Sequence, residues 1–262
     1  MIATHVEASI AQHAHMTDSG TMMRQTLPES DPVAVALSAA ITRGDAAALQ
    51  LQLATNPTLA TVGIVDATGT TRTLTHLVAD WPGHVANGAA LIGVLAAAGA
   101  DLNAPMVHGR HGGSPETALH WAASSDDVAV LDALLDHGAD IEATGAIFTG
   151  GTAMSDAVVF AQWNAARRLL QRGAQTTIWQ AAALGLVDRV AECMMDDPPP
   201  SARDVTNALW HACRAGAPNT AAFLLARGGD PHWVGWEEKT PATVARESGN
   251  AELVALLQST GA

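Results

Sequence analysis

The sequence predicts an all-α protein built from stacked helix–turn–helix units. Three observations carry this prediction: a composition rich in alanine and leucine, no convincing alternation of Val, Ile and Thr that would indicate strands, and a motif that recurs along the chain. Alanine and leucine favour helix. Helices of roughly ten residues are unstable alone in water, so each must bury one face against its neighbours.

Charge and cysteine usage exclude several classes of protein. The 262 residues carry a formal net charge of −13, which disfavours binding to a nucleic-acid backbone or to an anionic membrane, because both need a basic face. No run approaches about 18 uncharged apolar residues, so no membrane span is expected, and the N-terminus does not resemble a secretory signal. Cys193 and Cys213 form no disulfide framework, which predicts a reducing, cytoplasmic location.

The clearest repeat lies between residues 112 and 143. It contains Thr-Ala-Leu-His-Trp-Ala-Ala at 117–123, a Leu-Leu pair at 134–135 and Gly-Ala-Asp at 138–140. This unit resembles an ankyrin repeat, in which Thr-Pro-Leu-His-x-Ala opens the first of two antiparallel helices and Gly-Ala-Asp leads into the next hairpin. Ala118 stands where the family usually has proline.

The same frame recurs over about residues 32–260, and the number of copies in register makes the resemblance strong. It implies a single ankyrin-repeat domain over residues 32–262, a solenoid with short hairpin fingers, preceded by a flexible tail over residues 1–31. The predicted units are 32–64, 66–103, 112–143, 147–175, 176–200, 203–233 and 235–260.

The turn between the two helices of a unit requires a left-handed backbone, which costs glycine little. Gly185, Gly216 and Gly249 occupy this position in three units, whereas two other units have Asp126 and Ala161. Asp tolerates the conformation moderately and Ala does not. We therefore expect the turn after Ala161 to depart from the pattern.

The resemblance implies a concave binding surface, formed by the fingers and by exposed positions near the end of each first helix. Insertions at residues 80–88 and 106–111 lengthen loops, and insertions in repeat proteins often fall on the binding face. An aromatic floor with a polar rim is typical of an interaction site, although these side chains could simply fill gaps left by short fingers. The predicted binding residues are Trp81, Ser124, Phe148, Val159, Phe160, Leu184, Arg214, Trp233 and Trp236.

No recognised catalytic motif is present: the chain lacks a phosphate-binding glycine loop, a nucleophile elbow, a His-Glu-x-x-His helix and a paired-cysteine motif. If the groove is catalytic, the candidate proton carriers are Asp156, Asp80, Glu116 and His120. Asp156 stands out because it lies in an apolar helix, where burial would raise its pKa. It could instead pair with a neighbouring donor such as Trp179 or Gln162.

The histidines favour structural roles. His120 occupies the helix-opening position at which the family's histidine bonds to backbone of the adjacent unit. His108 and His111 lie on a finger without Cys or carboxylate partners at a fixed spacing, so no metal site and no cofactor are expected.

Two functions stay open at this point. The first is a cytoplasmic binding module that holds a protein or peptide, basic or amphipathic, in the aromatic groove. The alternative is a small-molecule-binding protein or an unconventional enzyme that carries out acid–base chemistry on a hydrophobic substrate, which the fold does not exclude. A scaffold subunit that works only in an assembly is a third, minor interpretation.

Overall fold

The computed structural model describes residues 25–109 and 113–260, and this part of the chain is mostly helical. Seven helix–turn–helix pairs follow one another in it, so the prediction of an all-α repeat fold is confirmed. The contacts divide the chain into two compact units, one ending at Arg168 and the other beginning at Leu169, a division that falls within a helix.

In unit 1, each first helix packs on the first helix of the next pair, and the second helices of the first three pairs pack on one another in the same order. Short helices are stable in this arrangement because each buries one face against its equivalent in the next pair. The helices of these pairs are α1 Pro32–Thr42, α2 Ala46–Thr55, α3 Leu74–Ala79, α4 Gly88–Ala97, α5 Ala118–Ser124, α6 Val128–Asp136, α7 Ala153–Val159 and α8 Trp163–Gln171.

In unit 2, each first helix packs on the first helix of the next pair, and each second helix packs on the second helix of the next pair. The core of this unit contains Trp210 and the two cysteines, whose thiols are buried and free. The helices are α9 Ile178–Ala183, α10 Val187–Cys193, α11 Ala202–Arg214, α12 Pro218–Leu225, α13 Pro241–Glu247 and α14 Ala251–Ser259, and the short 3₁₀ helices of the chain are Pro57–Thr61 and Trp236–Glu238.

The helix-opening histidines have the structural role that the motif implies. The Nδ1 atom of His120 lies 3.0 Å from the Thr117 hydroxyl at the start of α5, and its Nε2 donates to the carbonyl of Gly151 at 3.3 Å. His76 repeats the arrangement, with its Nε2 donating to the carbonyl of Glu116 at 3.0 Å. Each histidine therefore ties the start of one pair to the finger of the next.

A small three-stranded sheet was not predicted; one of its strands lies before the first pair and two lie between the first and second pairs. Strand β1 (Thr26–Pro28) runs parallel to β2 (Gly63–Val65), which is antiparallel to β3 (Thr71–Thr73). Leu27 is buried, so residues 26–28, which the sequence assigns to a flexible tail, belong to the folded unit. Three-residue strands are too short to show alternation. Residues 1–24 of the predicted tail lie outside the described residues.

The expectation that the turn at Ala161 departs from the pattern is wrong. Ala161 has a φ of 57°, close to the 66° of Gly44 and the 56° of Asp126 at the same position in other pairs. The N–H of Gln162 still donates to the Ala157 carbonyl at 2.7 Å. The hydrogen bonds and packing of the whole pair thus impose the left-handed conformation on an alanine that disfavours it.

Replacing Ala161 with glycine is expected to raise the free energy of unfolding by up to about 1 kcal/mol. The left-handed conformation costs a non-glycine residue about 1–2 kcal/mol, which exceeds the entropic cost of glycine of about 0.5–1 kcal/mol. Urea denaturation measures the change. Ala129→Gly, at an exposed helical position in α6, is the matched control and should destabilise the chain. Equal losses of stability in Ala161→Gly and Ala129→Gly would contradict backbone strain at Ala161.

Candidate functional site

In each unit, exposed large apolar side chains lie mainly on fingers and just after first helices. Within residues 25–109 and 113–260, ten large hydrophobic side chains are exposed. Three of them, Val35, Leu51 and Met195, lie elsewhere in the repeats. The other seven lie on fingers or just after first helices: Trp81, Val107, Ile147, Phe148, Phe160, Val234 and Trp236.

Unit 1 holds two of these aromatic side chains in contact. Phe148 lies on finger 4, which comprises residues 144–152, and Phe160 caps the C-terminal end of α7. Their ring centroids are 5.8 Å apart with a tilt of 49°, and the residues are 69% and 41% exposed. Together with the exposed Ile147 they form what we call the aromatic patch. Val159, also a predicted binding residue, is half-buried beside Phe160 in sequence.

The other predicted binding residues of unit 1 lie at the ends of their first helices. Trp81 is exposed in the insertion after α3. Ser124 is half-buried at the end of α5, and its hydroxyl donates to the Trp121 carbonyl at 3.0 Å. Ser124 is therefore engaged with its own helix.

The carboxyl group of Asp156 in α7 is buried and has no well-formed hydrogen bond. Asp156 is 1% exposed in α7, and neither carboxyl oxygen has a partner of acceptable geometry. Burial, and secondarily the charge of Glu116, raise its pKa to about 8, while the backbone N–H of Ile147, whose hydrogen bond to the carboxyl group falls short of good geometry, lowers it. The donor expected from sequence is not found, because Gln162 donates instead to the Ser124 carbonyl at 3.0 Å. Asp156 consequently carries a proton at neutral pH.

Glu116 is the second buried carboxylic acid of this region. It lies on finger 3, comprising residues 104–109 and 113–117, and burial raises its pKa, partly offset by a hydrogen bond from the Trp121 indole and by the charge of His108. Its backbone carbonyl accepts from the Met106 N–H at 2.7 Å and from His76. These bonds fix the backbone of Glu116 in place.

Of the four candidate proton carriers, Glu116 and Asp156 are the two buried acids with raised pKa values, and the charge of Glu116 contributes to the shift at Asp156, so we call them the carboxyl pair. Asp80 forms a partly exposed ion pair with Arg72 at 2.8 Å. His120 is buried with both ring nitrogens engaged, and burial lowers its pKa, so it is neutral. The sequence analysis names both acids, but nothing in their spacing indicates that one acts on the other, because they are forty positions apart.

In unit 2, the predicted binding residues split between surface and core. Trp236 is exposed on finger 7, which comprises residues 230–240, and its indole donates to the Asn207 side chain at 2.9 Å. Trp233 packs against the core of the unit, and the Arg214 guanidinium lies 5.8 Å from the Trp210 ring. Leu184 is half-buried at the C-terminal end of α9. Part of this predicted surface therefore fills space within the unit.

The helical pairs, the threonine–histidine starts and the left-handed turns all match one family. A family model for ankyrin repeats (3 copies) matches residues 37–179, more than half of the chain. The chain belongs to the ankyrin-repeat family. Comparison with curated proteins gave no match. Ankyrin repeats are generally protein–protein interaction modules, and binding of protein partners is thus the general function indicated for this chain.

This ankyrin-repeat chain also has a cleft that the sequence analysis missed. It encloses about 610 Å³ in unit 2 and is lined by Leu170, Ala174, Leu186, Val187, Arg189 and Glu192, among others. The Arg189 guanidinium lies 3.1 Å from Glu192 and donates to the Thr176 carbonyl at 3.3 Å. In the sequence, the short finger at residues 175–178 is the feature that could have indicated this cleft. None of the predicted site residues lines it.

Residues 25–109 and 113–260 of this ankyrin-repeat chain contain neither a membrane-spanning helix nor a metal-binding cluster of side chains. No helix there is long and apolar enough to cross a membrane. No group of three or more His, Cys, Asp or Glu side chains there could hold a metal ion. His111, on the long finger, lies outside the described residues.

Proposed function

We propose that this ankyrin-repeat chain binds a protein or peptide segment through the aromatic patch of Ile147, Phe148 and Phe160. The observation that carries the proposal is the concentration of exposed apolar side chains on fingers and first-helix ends. A patch of exposed aromatic side chains leaves apolar surface in contact with water, which is unfavourable. Aromatic residues also supply much of the binding energy at protein interfaces.

The net charge of the chain indicates the charge of the partner. With a formal net charge of −13, the chain attracts basic segments, and the patch requires apolar side chains. A basic, amphipathic segment satisfies both requirements. The cytoplasmic location stays a prediction from the cysteine usage.

Replacing both Phe148 and Phe160 with alanine is expected to weaken binding at least about 30-fold. Hot-spot residues contribute about 2 kcal/mol or more on truncation, and about 1.4 kcal/mol corresponds to a tenfold change. Peptides selected on the full chain from a displayed library of random dodecapeptides provide the probe. Fluorescence polarisation of a labelled peptide then measures the affinity of each variant.

The controls are Leu51→Ala and Met195→Ala, which remove exposed apolar side chains away from the fingers. They should leave the affinity within about twofold, since surface substitutions outside such sites change free energies by less than about 0.5 kcal/mol. Selected peptides that bind the double phenylalanine variant as tightly as the unchanged chain would overturn the proposal.

The carboxyl pair favours one alternative, an acid–base function on a hydrophobic small molecule. Asp156 is protonated near neutral pH and could act as a general acid. Asp156→Asn would then abolish turnover of a substrate while leaving its binding nearly unchanged. If turnover is unchanged in that variant, this alternative fails.

A further inference from the structure

The cleft of unit 2 lies beside α10, and two residues of this segment depart from the pattern of the other second helices. The first is Leu186 at the N-cap position, which gives the helix no side-chain hydrogen bond. Asp127 and Asn250 cap α6 and α14 at the same position. A leucine there forfeits the stabilisation that a capping side chain supplies. Leu186 instead lines the cleft.

Arg189, the third residue of α10, is the second departure. In four other second helices the third residue is uncharged and buried, namely Val130, Ala165, Thr220 and Leu253. An arginine is too long and too polar to be buried in the same way. Arg189 is half-buried and lines the cleft. Two residues that break the stabilising pattern thus face one cleft, and such departures are typical of functional sites.

The Arg189 guanidinium is held in place but keeps donors for a ligand. One terminal nitrogen lies 3.1 Å from a carboxylate oxygen of Glu192, and the other donates to the Thr176 carbonyl at 3.3 Å. A guanidinium carries five N–H donors in a fixed plane. The two bonds use two of them, so a group in the cleft with hydrogen-bond acceptors can bind the others.

Apolar side chains form much of the remaining lining of the cleft, which has a volume of about 610 Å³ and is open to solvent. This volume lies within the range of small-molecule sites, which combine mainly apolar walls with a few polar groups that orient the ligand. The apolar members are Leu170, Ala174, Leu186 and Val187. A ligand that fits this lining therefore has an apolar part beside its polar groups.

The charged lining disfavours a ligand of a single sign. The cleft presents one cation, Arg189, and two carboxylates, Asp188 and Glu192. An anion would be repelled by both carboxylates and by the net charge of −13, and a cation would be repelled by the guanidinium. An α-amino acid avoids both penalties, because it is neutral overall and its two opposite charges are close together. Arg189 and Glu192 present the complementary charges 3.1 Å apart.

We propose that the cleft of unit 2 binds a free apolar α-amino acid. Its carboxylate accepts hydrogen bonds from the Arg189 guanidinium, and its ammonium donates to the Glu192 carboxylate. Its side chain lies against Leu170, Leu186 and Val187. The side chains of the ion pair are 39% and 61% exposed, so a ligand reaches both charged groups from solvent. The site is independent of the aromatic patch, with which it shares no residue.

Isothermal titration calorimetry of the full chain with L-leucine tests the site at about pH 6.5, where an α-amino group is protonated. L-leucinamide lacks the carboxylate and 4-methylpentanoate lacks the ammonium. L-leucine should bind at least about tenfold more tightly than either analogue, because each analogue loses a charge-assisted hydrogen bond. Glycine, which has no apolar side chain, should also bind at least about tenfold more weakly than L-leucine.

Substitutions in the cleft assign each preference to one side chain. Arg189→Gln should abolish the preference for L-leucine over L-leucinamide, and Glu192→Gln should abolish the preference over 4-methylpentanoate. Arg227→Gln and Glu252→Gln change exposed charges elsewhere in unit 2 and are the matched controls. They should leave the affinity for L-leucine within about twofold. Circular dichroism checks that all four variants fold.

The unchanged chain by itself can contradict the proposal. Binding of L-leucine that is no tighter than binding of L-leucinamide or 4-methylpentanoate would overturn the amino-acid site, and so would no heat of binding at about 10 mM L-leucine. The variant with alanine at both Phe148 and Phe160 should bind L-leucine as the unchanged chain does. Failure of the amino-acid site and failure of the aromatic patch are therefore separate outcomes.

Discussion

Replacing Asp156 with asparagine should remove a pH-dependent cost to the folded chain that amounts to about 4 kcal/mol at pH 7. The folded pKa of about 8 exceeds the ordinary 3.8 of an aspartic acid, and each pKa unit corresponds to about 1.4 kcal/mol. Asparagine has nearly the same shape but no charge to bury. At pH 7 the folded chain must keep a proton on Asp156 that the unfolded chain releases. The substitution removes this free-energy cost.

The sign of the pH dependence follows from the raised pKa. The folded state prefers the protonated acid, so Asp156 costs nothing below about pH 3.8, where both states are protonated. Its cost grows as the pH rises toward 8, at which point the folded state also ionises. The stability difference between Asp156→Asn and the unchanged chain should therefore be small at pH 4, large at pH 7, and constant above about pH 8.

Urea denaturation at pH 4, 5.5, 7 and 8.5 measures this difference. Glu29→Gln, which removes an exposed acid from the same unit, should show no comparable trend. A loss of stability that is the same at every pH would mean that folding does not shift the pKa of Asp156, and a loss that grows as the pH rises would mean that its ionised form is paired in the folded chain.

Replacing Trp210 with alanine should destabilise unit 2 by about 3–5 kcal/mol. The side chain is 1% exposed in α11, and its indole N–H donates to the Lys239 carbonyl of finger 7 at 2.9 Å. Truncation would leave a large cavity in the core and an unpaired carbonyl on the finger. Because such a loss is a large share of a domain's stability, partial unfolding of unit 2 near 37 °C is expected.

Thermal and urea denaturation followed by circular dichroism test the effect of Trp210→Ala. Trp236→Ala removes an exposed tryptophan from the same unit and should cost less than about 1 kcal/mol. Trp210→Phe keeps most of the apolar volume but removes the hydrogen bond, and it should lie between the two. If Trp210→Ala loses no more stability than Trp236→Ala, the Trp210 ring is not part of the core.

The residues of the candidate site could be predicted from the sequence, but their arrangement could not. Phe148 and Phe160 follow from the repeat register, because finger and first-helix positions can be counted from the motif. Asp156 and Glu116 were each named, Asp156 because an acid in an apolar helix is unusual. Their coupling, the missing hydrogen bonds of Asp156 and the packing role of Trp233 depend on how finger and helix side chains fold over one another.

By itself the sequence determined the repeat frame, the order of the helical pairs and the structural role of the helix-opening histidines. These features are local: a threonine start, a small-residue face and a glycine turn act within about thirty residues. Only the tertiary structure decided that residues 26–28 join a sheet, that Ala161 adopts a left-handed turn and that both Glu116 and Asp156 are buried. These depend on contacts between residues far apart in sequence and on burial, and the energy of such contacts overrides local preference.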